Sequence, residues 1–235
     1  MEPVEPVPYA EVARAESVRG ELVLRERAPD EPGPTVLELR ANGVFVMDTV
    51  EVGTEQALAS AALALVASPR AVVVAGLGLG FTLREVLADS RVERCAVVEI
   101  EQALVDWMRD GTIPHGPGLL ADERVAIVVA DVAAAISEAA ATRAASYDLV
   151  LLDVDNGPGY LVHDVNAALY TAPFLAEVAR VLRPGGAVAV WSAGEAPELA
   201  EALASVFPTT EALPLDVDLQ GRAEQYWLYV GRVGD

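Results

Sequence analysis

Sulfur and positive charge are both scarce in this chain. A single cysteine, Cys95, stands among 235 residues. It excludes an internal disulfide and suits a reducing compartment, so a cytoplasmic setting is expected. Only two histidines occur, His115 and His163, in separate loops, and they point to no metal site. No stretch reaches about 18 uninterrupted apolar residues, so no membrane span is expected. The opening MEPVEPVPYAEVARAE is acidic and proline-rich and lacks the basic start and apolar core of a secretory signal. Basic side chains number 16 against 36 acidic ones, for a net charge of −20. Such a surface repels phosphate backbones, which disfavours DNA or RNA as a partner, and it attracts cations. The charge also has a plainer reading, as a device of solubility.

Hydrophobic residues are plentiful, at 53%, enough to cover a sheet on both faces. The length favours one large domain with a small appendage. Residues 1–20 read as a loose or partly helical lead. Three short β-like runs follow, at 21–27, 36–40 and 43–49, with Asn42-Gly43 as a hairpin signal. From 55 to 67 the chain is alanine- and leucine-rich and helical. Strand and helix then alternate. Strands are expected at 71–76, 94–100, 125–130, 148–153 and 186–191. Helices are expected at 81–88, 102–109, 132–145, 167–182 and 196–206, and a last strand at 225–230. Continuous Val/Ile/Leu strands belong in a parallel sheet covered on both sides. The expectation is an α/β, Rossmann-like, doubly wound and mostly parallel sheet over 55–235. A small antiparallel β-hairpin region over 1–54 precedes it.

The first long strand runs into Gly76-Leu77-Gly78-Leu79-Gly80, and a helix follows. Glycines permit a tight turn there and a close backbone approach to a ligand, so Gly76, Gly78 and Gly80 are candidate cofactor contacts. The next strand ends in Glu99, near the spacing of about 20 residues at which an acid meets ribose hydroxyls. The other reading of Glu99 is a solvent-facing carboxylate at a strand end. Asp131 ends the third strand, where it either lines the site or caps the following helix. Asp153 ends the fourth, with Asp155 and Asn156 beside it. Ligands of open α/β sheets sit outside the carboxyl ends of the strands, so these acids would line one crevice. Converging carboxylates raise one another's pKa, which makes Asp153 and Asp155 candidate bases for an amine. Trp107 and Trp191 read as core or as a roof for the pocket, and Cys95 as a small buried hydrophobe.

The order of motifs resembles the spermidine synthase-like branch of the class I methyltransferase fold. The carrying segments are AVVVAGLGLGFTLREVLA (71–88), AVVEIEQALVDW (96–107), DERVAIVVADVAAAI (122–136), YDLVLLDVDNGP (147–158) and RVLRPGGAVAVWSA (180–193). The resemblance implies a pocket for S-adenosylmethionine or its decarboxylated form, with no metal. It implies Glu99 on the ribose, Asp131 on the adenine amine and Asp153 as base on an acceptor amine, together with a homodimer. Three family features are altered. Leu79 stands where the family's glycine loop carries an aspartate, the D-S-T-D-P segment reads Asp153-Val154-Asp155-Asn156-Gly157-Pro158, and the Y-H-E stretch falls on apolar Ala57–Leu63. The expected function is therefore a transferase using an S-adenosyl donor on a small amine, possessing polyamine-type chemistry. A small-molecule methyltransferase and a noncatalytic relative are the alternatives.

Overall fold

The computed structural model describes residues 9–29, 33–50, 52–142, 145–219 and 222–234. The chain opens with a four-stranded antiparallel sheet in sequential order. Its strands are β1 (Ala10–Ser17), β2 (Gly20–Arg27), β3 (Val36–Ala41) and β4 (Val44–Asp48). Asn42 and Gly43 turn β3 into β4 with φ of +51° and +77°, as a tight hairpin needs. The Asn42 side chain also accepts from the Glu21 amide at 2.9 Å and donates to the Arg19 carbonyl at 3.1 Å, which fastens the two turns together.

The loose or helical lead expected over 1–20 is corrected from residue 10 onward, and residues 1–8 lie outside the described residues. Ala10–Ser17 has helix-compatible composition, yet it pairs along its length with β2, from Ala10 opposite Glu26 to Ser17 opposite Gly20. Strand preference depends on the available neighbour more than on intrinsic propensity, and β2 supplies that neighbour.

The second sheet has seven strands: β5 (Ala71–Ala75), β6 (Arg94–Glu99), β7 (Val125–Val129), β8 (Tyr147–Leu152), β9 (Leu182–Ser192), β10 (Thr209–Leu219) and β11 (Arg222–Arg232). Their order is β10-β11-β9-β8-β5-β6-β7. Strands β5 to β9 run parallel, while β11 is antiparallel to β9 and β10 to β11. The helices are α1 (Gly53–Leu65), α2 (Phe81–Ala88), α3 (Gln102–Asp110), α4 (Gly116–Leu120), α5 (Val132–Thr142), α6 (Ala172–Val181) and α7 (Pro197–Val206).

Every residue of β5 is buried, and its side chains alternate between two cores. Val72 and Val74 join Leu58, Leu83 and Leu104 beneath α1, α2, α3 and the N-terminal sheet. Val73 and Ala75 join Ile136, Leu175 and Leu199 beneath α5, α6 and α7. Each such buried Val or Leu contributes about 1.5–3 kcal/mol of apolar burial.

Two further differences from the sequence expectation concern local breaks and edges. The helix expected over 167–182 is split into a 3-10 turn, Asp164–Tyr170, and α6. Thr171 is extended between them and Pro173 occupies the first turn of α6, where its missing N–H leaves no bond unmade. Strand β10 was not anticipated. It carries Pro214 and several acids, which suit an edge strand paired on one side only.

Candidate active site

Strand order reverses beside β5: the chain proceeds outward to β6 and β7, then returns to place β8 on the other flank. A parallel sheet leaves a crevice at such a switch point. A cleft of about 1060 Å³ lies there, bounded also by the N-terminal sheet and the β10–β11 hairpin. Gly76, Gly78, Glu99, Asp131, Asp153 and Asp155 all line it. Gly80 does not; at φ +84° it starts α2, and a Cβ there would lie 2.8 Å from the Met108 methyl carbon.

Gly76 is the tightest point of the loop. Its φ is +94°, and a Cβ would fall 2.1 Å from the Asp153 carbonyl oxygen. Any side chain at 76 would therefore push the exits of β5 and β8 apart. Leu79 turns into the core and is fully buried, so the loop presents no side chain from that position to the cleft.

Glu99 is buried and held by main-chain donors. One oxygen accepts from the Leu77 amide at 2.9 Å and the other from the Glu101 amide at 2.8 Å. Burial raises its pKa, and these bonds oppose the shift. The solvent-facing reading of Glu99 is thus removed. Asp131 is exposed, accepts from the Ala134 amide at 3.1 Å at the start of α5, and still lines the cleft. Capping and cleft placement coexist in this residue.

Asp153 accepts from the Thr82 hydroxyl at 2.6 Å, and desolvation pushes its carboxyl up to about 6. Asp155 spends both oxygens on the following loop, one on the Val162 amide at 3.2 Å and one on Asn166 at 2.8 Å. Its φ is +56°, a left-handed conformation that Asp tolerates. This arrangement pins the 156–166 loop against the cleft.

Sequence reasoning passed over Glu55. It opens the first turn of α1, lines the cleft, and is raised to about 7 by burial and then by the charge of Asp153. The available signal was an acid in the helix that immediately precedes β5. Arg19, from the β1–β2 turn, was also unforeseen. It donates to Glu101 at 2.6 Å and to the Ile100 carbonyl at 2.9 Å, locking the N-terminal sheet to the end of β6. Trp191 lines the cleft beside Tyr226, with ring centroids 5.2 Å apart. Its buried indole N–H has no partner among the described residues. Trp107 and Cys95 lie in the core, and burial pushes the Cys95 thiol up to about 12. Among the described residues no group of three or more His, Cys, Asp or Glu side chains is placed to hold a metal ion, and no helix is long and apolar enough to cross a membrane.

A seven-stranded sheet in this order, with its penultimate strand reversed, defines an α/β protein of the methyltransferase type. The solved structure of spermidine synthase from Thermotoga maritima shares that fold, with a TM-score of 0.75 over 95% of this chain and 73% of its own, at 18% identity. Within that class the chain belongs to the spermine/spermidine synthase family, whose domain matches residues 51–208. Polyamine aminopropyltransferase 1 of Hyperthermus butylicus is 31% identical over 205 residues, covering 83% of this chain and 66% of the relative. Putrescine N-methyltransferase 3 of Nicotiana tabacum is 34% identical over 128 residues, covering 54% of this chain. The chain spans only 31% of that plant relative's length.

Proposed function

We propose that the protein transfers a carbon group from an S-adenosyl donor to the nitrogen of a small cationic amine. The observation that carries this reading is the meeting of Glu99, Asp131 and Asp153 in one cleft at the switch point. The residues suit the donor. Glu99 is met by the backbone amides of Leu77, Ile100 and Glu101, and the roughly four acceptor positions of a carboxylate leave one for a ribose hydroxyl. Asp131 uses one oxygen on α5, and the other suits the adenine amine. The glycine loop admits close approach, and the unpartnered Trp191 N–H offers a donor in the wall.

The donor would supply a carbon bonded to a sulfonium sulfur, which departs as a neutral thioether with the C–S electron pair. An amine nitrogen must shed a proton to carry the new bond. Asp153, with its carboxyl near 6, is ionised at neutral pH and basic enough to accept that proton. Thr82 holds the carboxylate in place. The acidic surface draws in cationic acceptors, and the relatives' names point to diamines of the putrescine class.

Calorimetric titration with S-adenosylmethionine, its decarboxylated form, methylthioadenosine and S-adenosylhomocysteine tests the reading, followed by turnover with a panel of amines. Binding of none of the four nucleosides, or no methylthioadenosine or S-adenosylhomocysteine released with any amine, overturns it. Buried Leu79 favours the methyl-transfer version, because the glycine loop then offers no carboxylate to an aminopropyl ammonium. That version requires S-adenosylhomocysteine to bind at least as tightly as methylthioadenosine. A homodimer joined through the N-terminal sheet completes the reading. Tyr9 and Val12 are exposed there, and sedimentation of the purified chain checks it.

A further inference from the structure

The β1–β2 turn is held in place from within its own sheet. Gly20 takes a φ of +111°, and a Cβ there would overlap the Asn42 Oδ1 atom. Asn42 thus sits against the turn, donating to the Arg19 carbonyl and accepting from the Glu21 amide. The Arg19 amide donates to the Ser17 hydroxyl oxygen at 3.1 Å, and that hydroxyl donates to Glu101 at 3.3 Å. The main chain of Arg19 is therefore fixed on both sides.

Its side chain crosses to the seven-stranded sheet. The guanidinium donates to Glu101 at 2.6 Å and to the Ile100 carbonyl at 2.9 Å, a fork over the exit of β6. The Glu101 amide in turn donates to Glu99 at 2.8 Å. Arg19 thus grips one end of a three-residue segment whose other end is the candidate ribose acid. Arg19, Asn42, Glu99, Ile100, Glu101 and Asp131 all line the cleft. Among the described residues that line it Arg19 is the only arginine, and the chain has no lysine. Its charge faces Glu101, which it bonds, and then Glu99 and Asp131. Burial raises Glu99 most, and the Glu101 charge adds to it. A cation on Glu101 relieves that second cost. The N-terminal sheet also reaches the glycine loop, where the Met47 sulfur accepts from the Leu79 amide at 3.1 Å. It therefore touches both loops that a nucleoside would meet.

We propose that Arg19 is a positioning residue for the donor: it closes the N-terminal sheet onto the exit of β6, so that nucleoside binding and seating of the β1–β2 turn are one coupled event. The inference rests on the donor half of the transfer reading and extends it to a residue outside the seven-stranded sheet. Arg19 takes no part in bond making. Its guanidinium fixes where the Ile100 peptide and the Glu99 carboxylate stand when the ribose arrives. The coupling is reciprocal: what Arg19 contributes to nucleoside binding, bound nucleoside returns to the turn.

The test is calorimetric titration with methylthioadenosine and with S-adenosylhomocysteine, which share the adenosine that Glu99 would meet. Arg19→Gln should bind the nucleoside about ten- to thirtyfold more weakly, from loss of a partly buried, charge-assisted fork. Arg19→Lys keeps the charge without the fork and should recover part of the loss. Glu101→Gln, which retains Arg19, should weaken binding about threefold, and the double variant should be no weaker than Arg19→Gln alone. Without nucleoside, the urea midpoint should barely move, because a half-exposed ion pair contributes little to folding. Hydrogen exchange gives a second readout. Bound nucleoside should slow the Glu21 and Asn42 amides several-fold, on the order of the affinity lost, in wild type and not in Arg19→Gln. Equal nucleoside affinity in Arg19→Gln and wild type, or equal protection of those amides, would overturn the inference and leave the transfer reading intact. A fall in urea midpoint with nucleoside affinity unchanged would reduce Arg19 to a structural tie and overturn it likewise. Failure of wild-type protein to bind either nucleoside would overturn both.

Discussion

Desolvation by the cleft walls lifts the Asp153 carboxyl from 3.8 to about 6, opposed by the Thr82 hydroxyl. The native state therefore binds this proton more tightly than the unfolded chain does. Its stabilising contribution is complete below about pH 4 and is lost as pH rises through about 6. A displacement of about two units corresponds to about 3 kcal/mol, and water reaching the cleft reduces this to about 2 kcal/mol. Asp153→Asn keeps the shape and can still bond Thr82, but it never ionises. The variant should match wild type near pH 4 and exceed it by about 2 kcal/mol at pH 8, an increase of about 4–8 °C in Tm for a chain of this size. Thermal unfolding from pH 4 to 8 measures the difference; acids that do not feel the Asp153 charge cancel, and Glu55, which that charge raises, shifts the difference in the same direction. The same variant should lose turnover, trading function for stability. A difference that stays flat across the pH range, or a less stable variant at pH 8, would refute the reasoning.

Other perturbations separate the remaining contributions. Gly76→Ala forces a Cβ to 2.1 Å from a backbone oxygen at φ +94°, so it should destabilise the fold by about 2–4 kcal/mol and weaken nucleoside binding, both readable by calorimetry. Leu79→Asp should not create an amine grip in the cleft. It buries a charge in the core, and denaturant unfolding should show a loss of at least about 3 kcal/mol. Asp131→Ala removes the helix cap at a cost of about 1 kcal/mol, while Asp131→Ser should keep the cap and still lose nucleoside affinity if the carboxylate meets the adenine amine. Equal affinity in Asp131→Ser and wild type would leave Asp131 with capping alone.

The segments whose structure follows from their own composition were legible without coordinates. The run Ala71–Ala75 is apolar at every position because it lies between two cores, and that reads directly as a central parallel strand. Gly76, Gly78 and Gly80 all take positive φ, the property for which glycine is chosen at a strand-to-helix turn. The acids ending β6, β7 and β8 follow from the same alternation, which sets them at one edge of the sheet. Other features depended on distant partners. Ala10–Ser17 becomes a strand only because β2 lies beside it, and β10 only because β11 does. Glu55 precedes β5 and Leu79 follows it, yet Leu79 turns into the core and Glu55 into the cleft. Asp155 reads as a second base but is turned to hold a loop. Local pattern determines which segments become strands and where each one stops, because periodicity and turn chemistry act over a few residues. Tertiary packing decides which way a side chain at a strand exit points, and hence which carboxylates meet in one cleft, because desolvation and charge coupling arise only where separate elements meet.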